Sequence, residues 1–430
     1  MVDAHIQRML DTAVQERRAG RTAAAVEMFR AVLEQGGEHP KALNALGLHA
    51  IDTGAHDEAI GLLKRAITAD ATAPELWMNL ARAHRERGDD AAEAAALDGA
   101  LAIDQRHFMA LVRMAELHER QGDAVRAAER WSGVLAIAAA IDAPNDGLVA
   151  MLDHARGYVR RQRESFADTI DRGLAGERDA MAAVDRRRVD ACIDHALGRR
   201  SIYANSCAGM HFPFLPADEF FPRQHFPWLA GIEAQTEVIR DELLSILAED
   251  AALVRPYVAM APGTPPNKWS ALDQSLQWGA LHLWKDGQRD DAVCARAPRT
   301  AAAIEALPLS DLPQRTPTVF FSILQPGAHL PAHTGVSNVR AIVHLPLIVP
   351  AGCSFRVGGE TRDWRAGEAW VFDDTIEHEA WNRSDAMRAI LIFDVWNPYI
   401  TLEERTVLRR FYAVAAQSDH ALQSVIQVSD

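Results

Sequence analysis

The sequence has few cysteines, no long apolar run and no excess of positive charge. Its four cysteines are far apart and form no CxxC pair, which argues against a zinc ribbon or a disulfide framework and favours a reducing compartment. No window reaches the roughly 18 uninterrupted apolar residues of a membrane span, and charges interrupt the N-terminus, so we expect a cytoplasmic protein. Asp and Glu (59) outnumber Lys and Arg (45), and the net charge of −14 would repel nucleic acid and anionic lipid.

A chain of 430 residues, 48% hydrophobic and 24% charged, is folded and too long for one ordinary domain. Its first third repeats at an interval of 34 residues, the period of tetratricopeptide repeats. Glycines recur at this interval, and large apolar residues recur in separate phases, which makes a chance period in an Ala-rich helical stretch remote. The recurring residues are Gly20, Gly54, Gly88 and Gly122, then Phe29, Leu63, Leu97 and Trp131, and then Leu43, Trp77 and Leu111.

The period predicts a helical solenoid over residues 1–144, whose concave surface would bind a protein or peptide. Residues 145–200 keep a helical pattern without the period, and we interpret them as a capping and connecting segment. Stacked repeats of this kind cannot themselves supply redox chemistry. A reaction site is therefore expected in the remaining residues.

A different composition begins at residue 201, where aromatic residues and prolines cluster. One amphipathic helix is predicted over 229–248, and period-2 patterns predict strands at 318–324, 340–349, 353–357, 368–373 and 387–396. Short strands at near-regular spacing are typical of a jelly roll or related barrel. We predict a multidomain α + β protein in which a tetratricopeptide solenoid precedes a double-stranded β-helix (jelly-roll or cupin-like) domain over 201–430.

Three histidines of the predicted β domain, His333, His344 and His378, lie on or beside strands, and Arg388 follows. Imidazole is a common ligand of iron, zinc, copper and nickel, and mononuclear iron oxygenases use two histidines, usually with one carboxylate. The chain has 17 histidines, however. Spacing alone therefore leaves metal binding and structural roles both open.

The blocks SILQPGAHLPAHTGVSNVRAIVHLPL, WRAGEAWVFDDTIEHEAWNRS and RAILIFDVWNP occur in this order within the β domain. Together they closely resemble the aspartyl/asparaginyl β-hydroxylase family of iron(II)- and 2-oxoglutarate-dependent oxygenases, over about residues 210–410. Animal members of that family also carry tetratricopeptide-type helices before the oxygenase domain. The architecture of the chain therefore agrees with the motif.

The resemblance implies that His333 and His378 ligate iron(II), with Gly335 at the position where most related oxygenases carry a carboxylate ligand. It also implies that Ser322, His344 and Arg388 bind 2-oxoglutarate, since a distal carboxylate needs a guanidinium and neutral donors. The candidate catalytic residues are thus His333, His378 and Arg388.

Neighbouring residues have less definite roles. Arg340 shares a strand face with His344 and is a candidate for substrate binding. Ile342 lies between them, where animal relatives have an arginine that helps to hold an acidic substrate side chain. We expect Asp373 and Asp374 to support the site or its turn rather than to bind metal.

Each assignment has a structural alternative. Arg388 in an apolar strand could reach water at a sheet edge, and Ser322 could satisfy a buried backbone group. A structural role is also the simpler interpretation of His329.

The resemblance predicts a 2-oxoglutarate-dependent dioxygenase that uses Fe(II) and O₂ to hydroxylate an sp³ carbon, the β-carbon of an Asp or Asn residue in a peptide or protein. The repeats would engage that protein or peptide substrate. One alternative is a repeat scaffold with an inactive β domain. Another is a hydroxylase of a small molecule or of a lipid acyl chain, although such relatives are membrane-associated.

Overall fold

A computed structural model describes residues 2–417, which form two compact units divided between residues 180 and 181. The first unit is helical. Its helices in chain order are α1 (Val2–Arg18), α2 (Thr22–Gly36), α3 (Pro40–Asp52), α4 (His56–Ala69), α5 (Pro74–Arg87), α6 (Asp90–Ile103), α7 (Phe108–Gln121), α8 (Ala124–Ala138), α9 (Asp146–Gly173) and α10 (Ala175–Asp179).

The 34-residue period coincides with the helix pairs of this unit. The periodic glycines end helices with positive φ between 73° and 79°, a backbone conformation that favours glycine. The periodic apolar residues Phe29, Leu63, Leu97 and Trp131 are all buried. Helices also approach closely at Gly99, where an added Cβ would lie 2.2 Å from the ring of Trp77. The predicted tetratricopeptide architecture is confirmed.

The segment predicted to connect the domains, residues 145–200, divides between the two units. Helix α9 packs on α8 through a shared apolar cluster that includes Leu152 and Val159, and it continues the first unit. Residues 181–200 belong to the second unit and contain α11 (Ala183–Ala196). From α11, the guanidinium of Arg187 donates to the carboxylate of Glu360 at 2.7 Å and to the carbonyl of Phe220 at 2.9 Å.

The second unit continues with short helices and antiparallel strands. They are α12 (Leu229–Glu233), α13 (Thr236–Asp250), β1 (Arg255–Pro256), β2 (Trp278–Lys285), β3 (Gln288–Arg289), α14 (Asp291–Arg296), α15 (Pro298–Glu305), β4 (Val319–Leu324), β5 (His329–His333), β6 (Arg340–Ile348), β7 (Cys353–Val357), β8 (Glu360–Asp363), β9 (Trp370–Phe372), β10 (His378–Asn382), β11 (Arg388–Trp396) and α16 (Leu402–Ala415). The single helix predicted over 229–248 is wrong. The Thr236 hydroxyl donates to the Glu233 carbonyl at 2.6 Å where α12 ends and α13 begins.

The strands form two antiparallel sheets. The first has the order β1-β2-β4-β11-β6-β9, with β3 paired to β2, and the second has the order β5-β10-β7-β8. The five predicted strands are present as β4, β6, β7, β9 and β11, while β1, β2, β3, β5, β8 and β10 were not predicted. The predicted succession of helical repeats and an antiparallel β domain is confirmed.

Alternating residues give the first sheet two different faces. On β4, Phe321 and Ile323 pack in the cluster that includes Ile239 and Leu243 of α13, while Leu324 points to the opposite side. That opposite side packs against the second sheet in a cluster that joins Leu324 and Ile342 with Leu330 and Phe355. Within residues 2–417, no helix has the length and apolarity needed to cross a lipid bilayer.

Candidate active site

A cavity of about 950 Å³ lies in the second unit, where the two sheets face each other. It collects side chains from β4, β5, β6, β10 and β11. All six site residues predicted from the sequence line this cavity: Ser322, His333, Arg340, His344, His378 and Arg388.

Strand pairing brings the two candidate metal ligands together. His333 ends β5 and His378 begins β10, and these residues are directly opposite partners in the antiparallel ladder, with ring centroids 4.0 Å apart. The Nδ1 of His333 lies 2.7 Å from the Pro331 carbonyl, and the Nδ1 of His378 lies 3.0 Å from the Ile376 carbonyl. Each ring therefore donates its proton from Nδ1, which leaves Nε2 as the acceptor atom.

Both imidazoles are neutral at physiological pH. Burial, together with the neighbouring His378, lowers the pKa of His333 to about 3. Burial also lowers the pKa of His378 to about 4. Since only a neutral imidazole can ligate a metal, the protonation state of the pair fits that role.

The carboxylate of a typical iron-binding triad has no room here. A Cβ added at Gly335 would lie 2.1 Å from Oδ2 of Asp374, so the Asp374 carboxylate occupies the space of a side chain at that position. Within residues 2–417, no group of three or more His, Cys, Asp or Glu side chains has the geometry to hold a metal ion. The donor set therefore fits a metal held by two imidazoles, with its remaining positions left to smaller ligands.

Arg388 is a buried cation without a counter-charge. It is 1% exposed at the start of β11, and its Nη1 donates to the carbonyl and the hydroxyl of Ser322 at 3.3 and 3.2 Å. Its Nε has no hydrogen-bond partner, and no carboxylate of residues 2–417 pairs with it. Burial lowers the pKa of Arg388 to about 10, so the side chain still carries its charge at neutral pH. Such a group fits an anionic ligand.

His344 and Ser322 provide neutral groups beside this cation. His344 is buried on β6 with an unpartnered Nδ1. Burial and the charge of Arg388 lower the pKa of His344 well below its usual value. The Ser322 hydroxyl also accepts a hydrogen bond from Trp278 Nε1 at 3.0 Å, which fixes its position.

Arg340 lies on the same face of β6 as His344, as the strand periodicity predicts, but its charge is compensated. Its Nη1 donates to Asp394 at 3.0 Å and its Nη2 to Asp374 at 3.2 Å. Burial opposes this cation, yet Asp394 and Asp374 raise the pKa of Arg340 above its usual value. Ile342, the next residue on that face, is 6% exposed and apolar.

Asp373 organises the turn before β10. Its carboxylate accepts from the Thr375 amide at 3.0 Å, the Thr375 hydroxyl at 2.6 Å and the Asn205 amide at 2.7 Å. Burial raises the pKa of Asp373 to about 7.

His329 lies outside this group of residues, beside Glu379. It is 2.7 Å from the Glu379 carboxylate, and its ring stacks on Trp381.

An aromatic wall of the cavity was not predicted. Trp269 meets the ring of His333 edge-on at 4.8 Å, and Tyr257 stacks on Trp278 at 3.9 Å and on Phe320 at 5.3 Å. Tyr257 and Trp269 come from segments with no strand or helix period. Only their aromatic character, in the runs RPYV and NKWS, could have indicated them.

Both units of the chain are similar to known protein families. Residues 233–398 match the family model described as Aspartyl/Asparaginyl beta-hydroxylase. The second unit thus contains a domain similar to the aspartyl/asparaginyl β-hydroxylases, referred to as the hydroxylase domain. Residues 10–74 match the family model of the tetratricopeptide repeat, so both parts of the resemblance are confirmed.

Two curated relatives align with this hydroxylase domain. The aspartyl/asparaginyl β-hydroxylase of Homo sapiens is 33% identical over 179 residues, which are 41% of this chain and 22% of that protein. The ornithine lipid ester-linked acyl 2-hydroxylase of Rhizobium tropici is 33% identical over 176 residues, 40% of this chain and 58% of that protein. Among solved structures, the MamA protein is 18% identical, with 41% of this chain and 96% of that chain covered and a TM-score of 0.29.

Proposed function

We propose that the hydroxylase domain is an iron(II)- and 2-oxoglutarate-dependent dioxygenase that hydroxylates an sp³ carbon. The observation that carries the proposal is one cavity in which two neutral imidazoles, His333 and His378, lie with the uncompensated cation Arg388. When bound, iron(II) with 2-oxoglutarate and O₂ supplies the oxidation that converts C–H to C–OH, with succinate and CO₂ as co-products.

The residues of this chain hold the reactants in place. His333 and His378 would bind the metal through Nε2, because the backbone carbonyls of Pro331 and Ile376 fix their Nδ1 protons. Gly335 contributes no ligand, which leaves more of the metal open to the co-substrate and water.

Arg388 would pair with the distal carboxylate of 2-oxoglutarate. Ser322 and His344 lie beside it as neutral hydrogen-bonding groups, and the apolar residues around them exclude water from the ion pair. The co-substrate thereby supplies the counter-charge that Arg388 lacks in the protein itself.

The proposed substrate is a peptide or protein in which the β-carbon of an Asp or Asn residue is hydroxylated. The family description of the domain supports this substrate, and the repeats offer a surface of the kind that binds peptides. Arg340 would contact the substrate as part of its ion pair with Asp374 and Asp394. The acyl 2-hydroxylase among the relatives supports an acyl chain as the competing substrate.

The proposal is tested by succinate formation from 2-oxoglutarate with iron(II) in full-length protein. Candidate Asp and Asn peptides and ornithine lipid are added in parallel, and each is examined by mass spectrometry for the gain of one oxygen atom. We expect iron-dependent succinate in the wild type and none in His378→Ala, with oxygen gained by a peptide. Succinate formation that persists in His378→Ala contradicts the assignment, and oxygen gained only by the lipid replaces the peptide as substrate.

A further inference from the structure

The charges that line the cavity differ with position. Next to the candidate co-substrate site, Arg388 has no carboxylate partner within residues 2–417. Arg340 holds two carboxylates, Asp374 and Asp394, and so offers no free charge to a ligand. Ile342, on the same strand face, is apolar. Once 2-oxoglutarate has paired with Arg388, an acidic group of a substrate would find no free cation among these inner residues.

Two other cations line the same cavity from its outer rim. Lys285 ends β2 and is exposed, and Arg315 lies in the loop before β4. In the described part of the chain, neither side chain forms an ion pair or a hydrogen bond. Elsewhere in the hydroxylase domain arginines are commonly paired, as Arg356 is with Glu377 and Glu379. The two rim cations are therefore free to bind a ligand.

The backbone holds these two cations on one rim. The amide of Gly287 donates to the Pro317 carbonyl at 3.0 Å, and the turn that carries Lys285 is thereby joined to the loop that carries Arg315. A Cβ at Gly287 would lie 2.9 Å from the Thr316 carbonyl oxygen, so the approach requires glycine there. Asp286 on the same rim offsets part of the positive charge and leaves an excess of one.

A locally positive rim is unusual in a chain of net charge −14. Cations at the mouth of a cavity attract anions, and acidic groups of a substrate bind there at a reduced desolvation cost because Lys285 is exposed and Arg315 is only half-buried. The aromatic wall begins at Trp269, edge-on to His333, and continues through Trp278 and Tyr257 to Phe320. These rings line the same cavity as the two rim cations. An extended peptide could lie along that wall with its acidic residue at the rim and its reacting residue inside.

We propose that Lys285 and Arg315 form an anion subsite that binds an acidic residue of the peptide substrate, at a distance from the residue that is hydroxylated. This inference rests on the proposed function for the identity of the reacting group, but the binding itself needs neither iron nor turnover. The rim would then set the preferred sequence around the reacting residue, while the inner residues, whose charges are compensated, favour Asn over Asp as that residue.

The test measures binding of fluorescent peptides to the full-length protein without metal. Each peptide carries one Asn and a pair of Glu residues placed one to five positions away, and its twin carries Gln in place of Glu. We expect at least one spacing at which the Glu peptide binds tenfold or more tightly than its twin, with an advantage that falls as salt is raised. The doubly charge-reversed variant Lys285→Glu with Arg315→Glu should lose this advantage.

The matched control is Arg299→Glu, which reverses an exposed cation on α15 outside the cavity and should keep the advantage. Binding of 2-oxoglutarate in the presence of Mn(II), measured separately, should be unchanged in the doubly reversed variant, which shows that it is folded. Equal binding of the twins at every spacing, or an advantage that survives the double reversal, overturns the subsite. Binding of the protein to anionic phosphatidylglycerol vesicles but to none of the peptides would also overturn the subsite. If the wild type binds the Glu peptide as expected but does not turn over 2-oxoglutarate, the proposed function is overturned and the subsite is retained.

Discussion

Replacement of Arg388 by methionine should weaken the binding of 2-oxoglutarate without destabilising the fold. The wild-type guanidinium is 1% exposed, donates hydrogen bonds to the hydroxyl and carbonyl of Ser322 and lies 4.8 Å from the centre of the Trp364 ring. No carboxylate within residues 2–417 compensates its charge. Removal of a buried charge partner typically costs about 2 to 5 kcal/mol of binding. At about 1.4 kcal/mol per tenfold change, the Kd for 2-oxoglutarate should rise by roughly 30-fold to several thousandfold.

The same substitution should not reduce the stability of the unliganded protein. Methionine removes an uncompensated buried charge and keeps most of the apolar volume, so the free energy of unfolding of the unliganded protein should not fall. Thermal unfolding with and without 2-oxoglutarate, in the presence of Mn(II), measures both effects. We expect 2-oxoglutarate to raise the Tm of the wild type and to leave the Tm of Arg388→Met unchanged.

The matched control is Arg356→Met. Arg356 lies on β7 of the same domain, pairs with Glu377 and Glu379, and is absent from the cavity lining. This variant should keep the wild-type affinity for 2-oxoglutarate. An Arg388→Met protein that binds 2-oxoglutarate within threefold of the wild type would refute the assignment and place the anion elsewhere.

Three further predictions concern pH, domain boundaries and repeat packing. Burial lowers the pKa of His282 to about 4. As the pH falls from about 6.5 to 4, the unfolded chain takes up this proton before the folded chain does, so the free energy of unfolding decreases. The variant His282→Phe should show a smaller decrease in urea unfolding measured across this pH range. The same pH dependence in the variant and the wild type would contradict the prediction. The fragment 181–430 should fold and consume 2-oxoglutarate without the repeats, whereas 201–430, which lacks the contact of Arg187 with Glu360, should show a lower Tm; equal Tm values would exclude a role for α11. Gly99→Ala should destabilise the repeats by about 1 to 3 kcal/mol, because its Cβ would overlap the ring of Trp77. The control is Gly61→Ala, whose added Cβ meets no atom within 4 Å and which should not destabilise the repeats.

The sequence predicts those elements whose burial is regular along the chain. Strands β4, β6 and β11 are buried almost throughout and read as apolar runs, and the solenoid repeats its core every 34 residues. Strands β5 and β10 escaped prediction because their sequences, HLPAH and HEAWN, include a proline and several polar residues. They are strands because they pair with each other, which is a property of the folded domain and not of either segment.

Some residues of the candidate site could likewise be predicted from the sequence, and others could not. The histidine pair and the residues around Arg388 were predicted because they lie within motifs that are contiguous in sequence. The ion pair that compensates the charge of Arg340 was not predicted. Its partner Asp394 is 54 residues away and meets it only through the pairing of β6 with β11. The rim of Lys285 and Arg315 depends on two turns that touch through backbone atoms, and no side-chain pattern records that contact.

Iron binding by the histidine pair tests the central claim most directly. Anaerobic equilibrium dialysis of iron(II) with 2-oxoglutarate would compare the full-length wild type with His333→Ala and His378→Ala. His329→Ala serves as the control, since this exposed histidine lies beside Glu379. We predict one iron(II) per chain in the wild type and in His329→Ala, and loss of iron binding in each of the other two variants. Wild-type affinity for iron(II) in either His333→Ala or His378→Ala would contradict the account.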